Sequence, residues 1–124
     1  MDSGVGKVAP LFLKVGGIVF TINGIHWNIL FVDPLSDYLK RSDGSKTVGM
    51  TDGNTNTVYL SNLLRGAFLE KVLCHELCHC FCFSYNIVID IETEEFMADW
   101  ISLYGKDLVY LLDSLMSNIV RKTA

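Results

Sequence analysis

Two histidines four residues apart, with a glutamate directly after the first, stand in an otherwise apolar run: Val72-Leu73-Cys74-His75-Glu76-Leu77-Cys78-His79-Cys80-Phe81. The pentapeptide HELCH is an instance of HExxH, a pattern tied to zinc hydrolases. On an α-helix His75 and His79 share one face, one turn apart, and both can offer an imidazole nitrogen to a single Zn²⁺. Glu76 lies about a hundred degrees further round, placed to reach a water at the ion without ligating the ion itself. Two imidazoles and a carboxylate on a buried helix need partners, and a metal satisfies both imidazoles at once. This stretch therefore demands a fold that covers a helix on most sides and leaves one opening.

The chain has 124 residues, enough for one domain, 1–124, and too few for two. A formal charge of −4 leaves no basic surplus to neutralise phosphates, so nucleic acid is not an expected partner. The apolar run before Phe20 is broken by Lys14 and by Gly16-Gly17 and lacks a basic start. Neither secretion nor a membrane span is expected, and the cytoplasm is the expected compartment. Cys74, Cys78, Cys80 and Cys82 fall within the same predicted helix, where neighbouring turns hold thiols poorly for disulfides. They are expected as reduced, small, buried side chains, although Cys82 returns near the histidine stripe.

Strands come first in the chain. The segment 18–22, the pair Asn23-Gly24 and the segment 25–32 form a strong hairpin signal, a turn pair between β-branched and aromatic runs. The second strand is apolar on both faces, which predicts a central position; His26 on it reads as a packed or surface residue. Asp33-Pro34 ends that strand, and a helical turn is expected within 35–41. A second strand pair, 47–51 and 57–61, is expected at an exposed edge, joined through 52–56. An edge beside the motif helix could take an extended peptide by strand addition.

Helices follow. The motif helix is predicted over 65–83, with Ser61 or Asn62 available to cap it or a preceding turn. A second helix starts at Asp90 as N-cap and ends at Gly105 as C-cap. A third spans 106–121, with Leu108, Leu111, Leu112, Leu115, Ile119 and Val120 at helical spacing; closing the core is expected of this stripe, with a dimer face as the other reading. The expected fold is thus α+β: a small antiparallel or mixed sheet of two strand pairs packed on the HExxH helix, then two more helices.

A catalytic zinc needs a third protein ligand, and the second helix is rich in acids. Glu95 and Asp99 share a helix face, so Glu95 can bind the ion while Asp99 accepts from the far N–H of a ligating histidine. Glu92 and Glu94 are expected to face solvent as first-turn acids.

HELCH followed by Glu95-Phe96-Met97-Ala98-Asp99 resembles the gluzincin type of metallopeptidase, and within it the small phage- and mobile-element-associated proteins of the ImmA/IrrE family. The resemblance covers roughly 18–104, with only the two motifs specific. It implies a zincin-like fold, His75, His79 and Glu95 as zinc ligands, Glu76 as general base and Asp99 behind a ligand histidine. It also implies hydrolysis of peptide bonds in a protein or peptide substrate, such as a regulator of a phage or mobile element. Tyr85, Tyr104 and His26 are candidate donors to the oxyanion. The alternative is a catalytically silent, zinc-stabilised binding module, which would close its site with a fourth protein ligand, Cys82 being the candidate.

Overall fold

A computed structural model describes residues 12–14 and 17–123. The sheet is mixed: four strands, β2 (Gly17–Ile22), β3 (Ile25–Val32), β4 (Gly49–Asp52) and β5 (Thr57–Ser61), with a short β1 (Phe12–Lys14) along β2. The spatial order is β1-β2-β3-β5-β4, antiparallel throughout except between β3 and β5, which run parallel. Two helices follow, α1 (Gly66–Ser84) and α2 (Ile91–Thr123). The segment before Phe12 lies outside the described residues.

The β2–β3 hairpin turns at Asn23 and Gly24, both at positive φ (51° and 78°), the pairing that lets a two-residue turn follow the strands' twist. β3 is central, as its two-sided apolarity predicts. Trp27 (0% exposed) and Ile29 on one face join Phe20, Ile22, Val58, Leu60, Leu64 and Cys80 in the core beneath α1. Its other face carries the half-buried Asn28, Leu30 and Val32. The second strand pair is not wholly an edge: β5 is interior and buried along its length, and only β4 forms the border. Tyr59 of β5 stacks at 4.3 Å on Tyr38, from the 3-10 turn Asp37–Leu39 that the polar segment after Pro34 predicts.

α1 is tied to the hairpin at its C-terminal end, where Trp27 Nε1–H donates to Ser84 Oγ at 2.8 Å and Asn23 Nδ2 donates to the Ser84 carbonyl. Its N-cap is Arg65, without a side-chain cap bond, and Ser61 caps the turn before the helix, its Oγ accepting from the Leu63 N–H at 3.2 Å. Asp90 does cap α2: its carboxylate accepts from the Thr93 N–H at 3.1 Å and from the Thr93 hydroxyl at 2.7 Å.

The expected break at Gly105 is absent, and the predicted second and third helices are one helix of 33 residues. A glycine stops a helix only when it turns left-handed, whereas Gly105 keeps the helical conformation at a cost of roughly 0.5–1 kcal/mol relative to alanine. Lys106, immediately beyond, is held by Glu70 of α1 at 2.7 Å. The apolar stripe after it does not close the core: Leu108, Leu111, Leu112, Leu115, Ile119 and Val120 are each about half exposed. No described helix is long and apolar enough to cross a membrane.

Candidate metal centre

α1 lies between the sheet and the first half of α2, and the site forms where those two helices run antiparallel. Ala98, fully buried, is the small residue at this contact and lets the α2 backbone come close enough for its acids to reach the histidines. Glu95 Oε1 lies 3.0 Å from His75 Nε2, and Glu95 Oε2 lies 3.3 Å from His79 Nε2. The two Nε2 atoms are themselves 3.3 Å apart. Neighbouring donors round a tetrahedral ion with bonds of about 2.0–2.1 Å stand about 3.3 Å apart, so these three groups match the base of such a site. Among the described residues His75, His79 and Glu95 are the group of metal-binding type, and Cys82 is outside it.

Each imidazole is fixed from behind. Asp99 Oδ1 sits 2.9 Å from His75 Nδ1, and Glu94 Oε2 sits 2.5 Å from His79 Nδ1. With both Nδ1–H groups donated to carboxylates, both Nε2 atoms are bare lone pairs that face each other and a third carboxylate. A cation between them turns that repulsion into binding. The donor set therefore fits a metal on its chemistry as well as on its distances.

Glu94 corrects the expectation that it faces solvent as a first-turn acid. One position before Glu95 it is rotated about a hundred degrees round α2, toward the deeper histidine, and its side chain is 14% exposed. A signal for it did exist: two ligating histidines need two acceptors, and Asp99 can serve only one of them.

Glu76 is buried at 7% exposure and does not touch the histidine nitrogens. Thr51 on β4 donates its hydroxyl to Glu76 Oε1 at 2.7 Å. Gly49, two residues earlier on the same edge strand, makes room for this carboxylate. A Cβ there would lie 2.8 Å from Val72 Cγ1 and 3.2 Å from Glu76 Oε2, so any side chain would push strand and helix apart.

A cleft of about 780 Å³ opens over these groups. Its floor includes His75, Glu76, His79, Glu94 and Glu95; β4 supplies Gly49, Met50 and Thr51 along one side, and Phe83 and Ile91 add apolar surface. Lys40, paired with Asp37 at 3.3 Å, and Arg41 line it too, two cations that no motif marks. Tyr85, Tyr104 and His26 do not line it: Tyr85 stacks on Phe81, Tyr104 packs on Trp100, and His26 Nδ1 pairs with the Thr21 hydroxyl.

The cysteines are all free, with Cys78, Cys80 and Cys82 buried and Cys74 half-buried. Burial is the main cause that pushes Cys78 up to about 11 and Cys80 up to about 12, and it also raises Cys74 and Cys82. These side chains are protonated thiols filling space near neutral pH.

Comparison of the chain with protein-family models, curated proteins and solved structures gave no match.

Proposed function

We propose that this chain is a zinc-dependent metallopeptidase of gluzincin type. The observation that carries the reading is the convergence of His75 Nε2, His79 Nε2 and one Glu95 carboxylate at 3.0–3.3 Å, with both Nδ1 atoms taken by carboxylates. Two imidazoles and one carboxylate are a donor set used by catalytic zinc, and three protein ligands leave a position for water and substrate. When bound, zinc supplies Lewis acidity, making water a nucleophile near neutral pH and polarising a scissile carbonyl.

The remaining chemistry belongs to the chain. Glu76 takes the proton of the attacking water and delivers it to the leaving amine, and the Thr51 hydroxyl holds its carboxylate in one orientation. Asp99 and Glu94 keep the two imidazoles in the tautomer whose Nε2 is free. The border strand β4 runs along the cleft, and an extended substrate segment adds to it as a further strand, positioning a peptide bond above Glu76. The likeness of the two motifs to ImmA/IrrE-type proteins points to a regulatory protein of a phage or mobile element as the substrate. That Cys82 stands outside the ligand group favours this reading over a closed, structural zinc site.

The test is cleavage of a quenched-fluorescence peptide library by the purified chain, paired with metal analysis. Wild type should hold one zinc per chain and cleave, lose cleavage to a chelator and regain it with zinc. Glu76→Gln should hold zinc and lose activity by at least 10²-fold, the lower range for general-base catalysis. Undiminished cleavage by that variant removes Glu76 from the mechanism, and failure to retain zinc removes the peptidase reading.

A further inference from the structure

α2 outruns the body of the protein. It lies antiparallel to α1, with Glu95 beside His75 and His79 and with Lys106 beside Glu70. At 1.5 Å per residue it passes the first residue of α1, Gly66, near position 110, and its last dozen residues reach about 20 Å beyond. From Lys106 to Lys122 every residue is exposed. A projecting helix of this length is marginal unless its apolar surface is covered.

That surface is ordered. Leu108, Leu112, Leu115 and Ile119 follow the 4-3-4 spacing of a coiled-coil seam, with Val109 and Met116 along one flank. Asp107, Asp113, Ser114, Ser117 and Arg121 fall on the outer positions. Nine large apolar residues from Leu108 to Val120 are exposed by 47–63%; Tyr110 and Val120 fall on the outer side, and the other seven lie on the seam or its flanks. Those seven present on the order of 700 Å², close to the roughly 800 Å² per partner of a standard interface and above the roughly 300–600 Å² of the largest apolar patch on a typical monomer.

We propose that residues 105–122 pair with the same segment of a second copy, antiparallel, to form a homodimer. The seam is self-complementary about a point between Asp113 and Ser114: Leu112 meets Leu115 of the second copy, Leu108 meets its Ile119, and Val109 meets its Met116. Charge agrees with that direction. The first half of the segment carries Asp107 and Asp113, Lys106 being held by Glu70, and the far end carries Arg121 and Lys122. Antiparallel pairing brings the Asp107 end of one copy to the Arg121-Lys122 end of the other and opposes the two helix dipoles, whereas parallel pairing aligns the dipoles and stacks Arg121-Lys122 on Arg121-Lys122. Asp113, at the centre, lies beside its counterpart in either direction. Asp107, Asp113 and Lys106 break the segment's apolarity, and no described helix is long and apolar enough to cross a membrane.

Sedimentation equilibrium on the full chain tests this. Twice the chain mass is expected at tens of micromolar, with Leu112→Asp and Leu115→Asp each shifting it to the monomer while the helical circular dichroism of the body is kept. Orientation is read separately by disulfide capture, which needs no disruptive variant: a mixture of Leu112→Cys and Leu115→Cys chains should cross-link on a non-reducing gel, and each alone should not. A monomer at all concentrations overturns the proposal, as does a dimer indifferent to both aspartates. Self-linking of each single cysteine variant without mixed product overturns the antiparallel pairing. A wild-type chain that stays monomeric in solution yet sediments with phosphatidylcholine–phosphatidylglycerol vesicles assigns the face to lipid and overturns it too.

Discussion

Glu94 Oε2 stands 2.5 Å from Nδ1 of His79, mirroring from the adjacent turn of α2 the hold that Asp99 has on His75. A carboxylate behind a ligand histidine fixes its tautomer and sharpens its Nε2 as a donor, and losing such a group costs about 10–100-fold in metal affinity. Glu94→Ala should weaken zinc binding by that factor in a chelator competition, with Glu94→Gln in between because its amide oxygen can still accept. An unchanged affinity in Glu94→Ala would make the contact incidental.

Thr51 places the proposed general base from a different element, the border strand. A hydrogen bond to a charged group contributes about 1.5–3 kcal/mol, and a loss of about 1.4 kcal/mol in transition-state stabilisation is tenfold in rate. Thr51→Val should lower kcat about tenfold or more with KM nearly unchanged, and Thr51→Ser should restore it. A rise in KM alone would assign Thr51 to substrate binding.

The joint between hairpin and motif helix is the Trp27–Ser84 bond. Ser84→Ala leaves the fully buried indole N–H without its acceptor, a loss of about 1–3 kcal/mol in stability. Urea unfolding should show the midpoint fall with an unchanged slope. Trp27→Phe combined with Ser84→Ala should recover part of the loss, since donor and acceptor then leave together.

Asp90 gives the fold an acid limb. Hydrogen bonds from the Thr93 hydroxyl and then the Thr93 N–H hold its carboxyl below the ordinary 3.8. A folded pKa below the unfolded one stabilises above 3.8 and loses that contribution as pH falls through the folded value. Melting temperature should therefore drop on acidification below about pH 4, and Asp90→Asn, which keeps a cap but cannot titrate, should flatten that part of the curve. An Asp90→Asn curve parallel to wild type below pH 4 would assign the acid limb to other carboxylates.

Local chemistry was legible in the sequence. Asn23-Gly24 announces its turn, the two-sided apolarity of 25–32 its central place, Asp90 its cap, and the spacing of His75, His79, Glu95 and Asp99 the faces that meet. What depends on how elements pack was not. Glu94 looked solvated because a helical wheel shows one face of α2 and not which histidine stands opposite. Gly105 looked like a stop because composition does not reveal whether a glycine turns left-handed. Lys40 and Arg41 joined the cleft through a loop whose path no periodicity encodes.

The parallel pairing of β3 with β5 bears on the order in which the molecule assembles. Asn28 lies beside Thr57, so the long excursion through β4 must close before the two central strands can zip. α1 follows β5 almost immediately, and α2 docks on α1 in turn. Registering the two central strands thereby closes the longest loop within the sheet, and it sets the point from which α1, and with it the two histidines, leaves the sheet to meet the acids of α2.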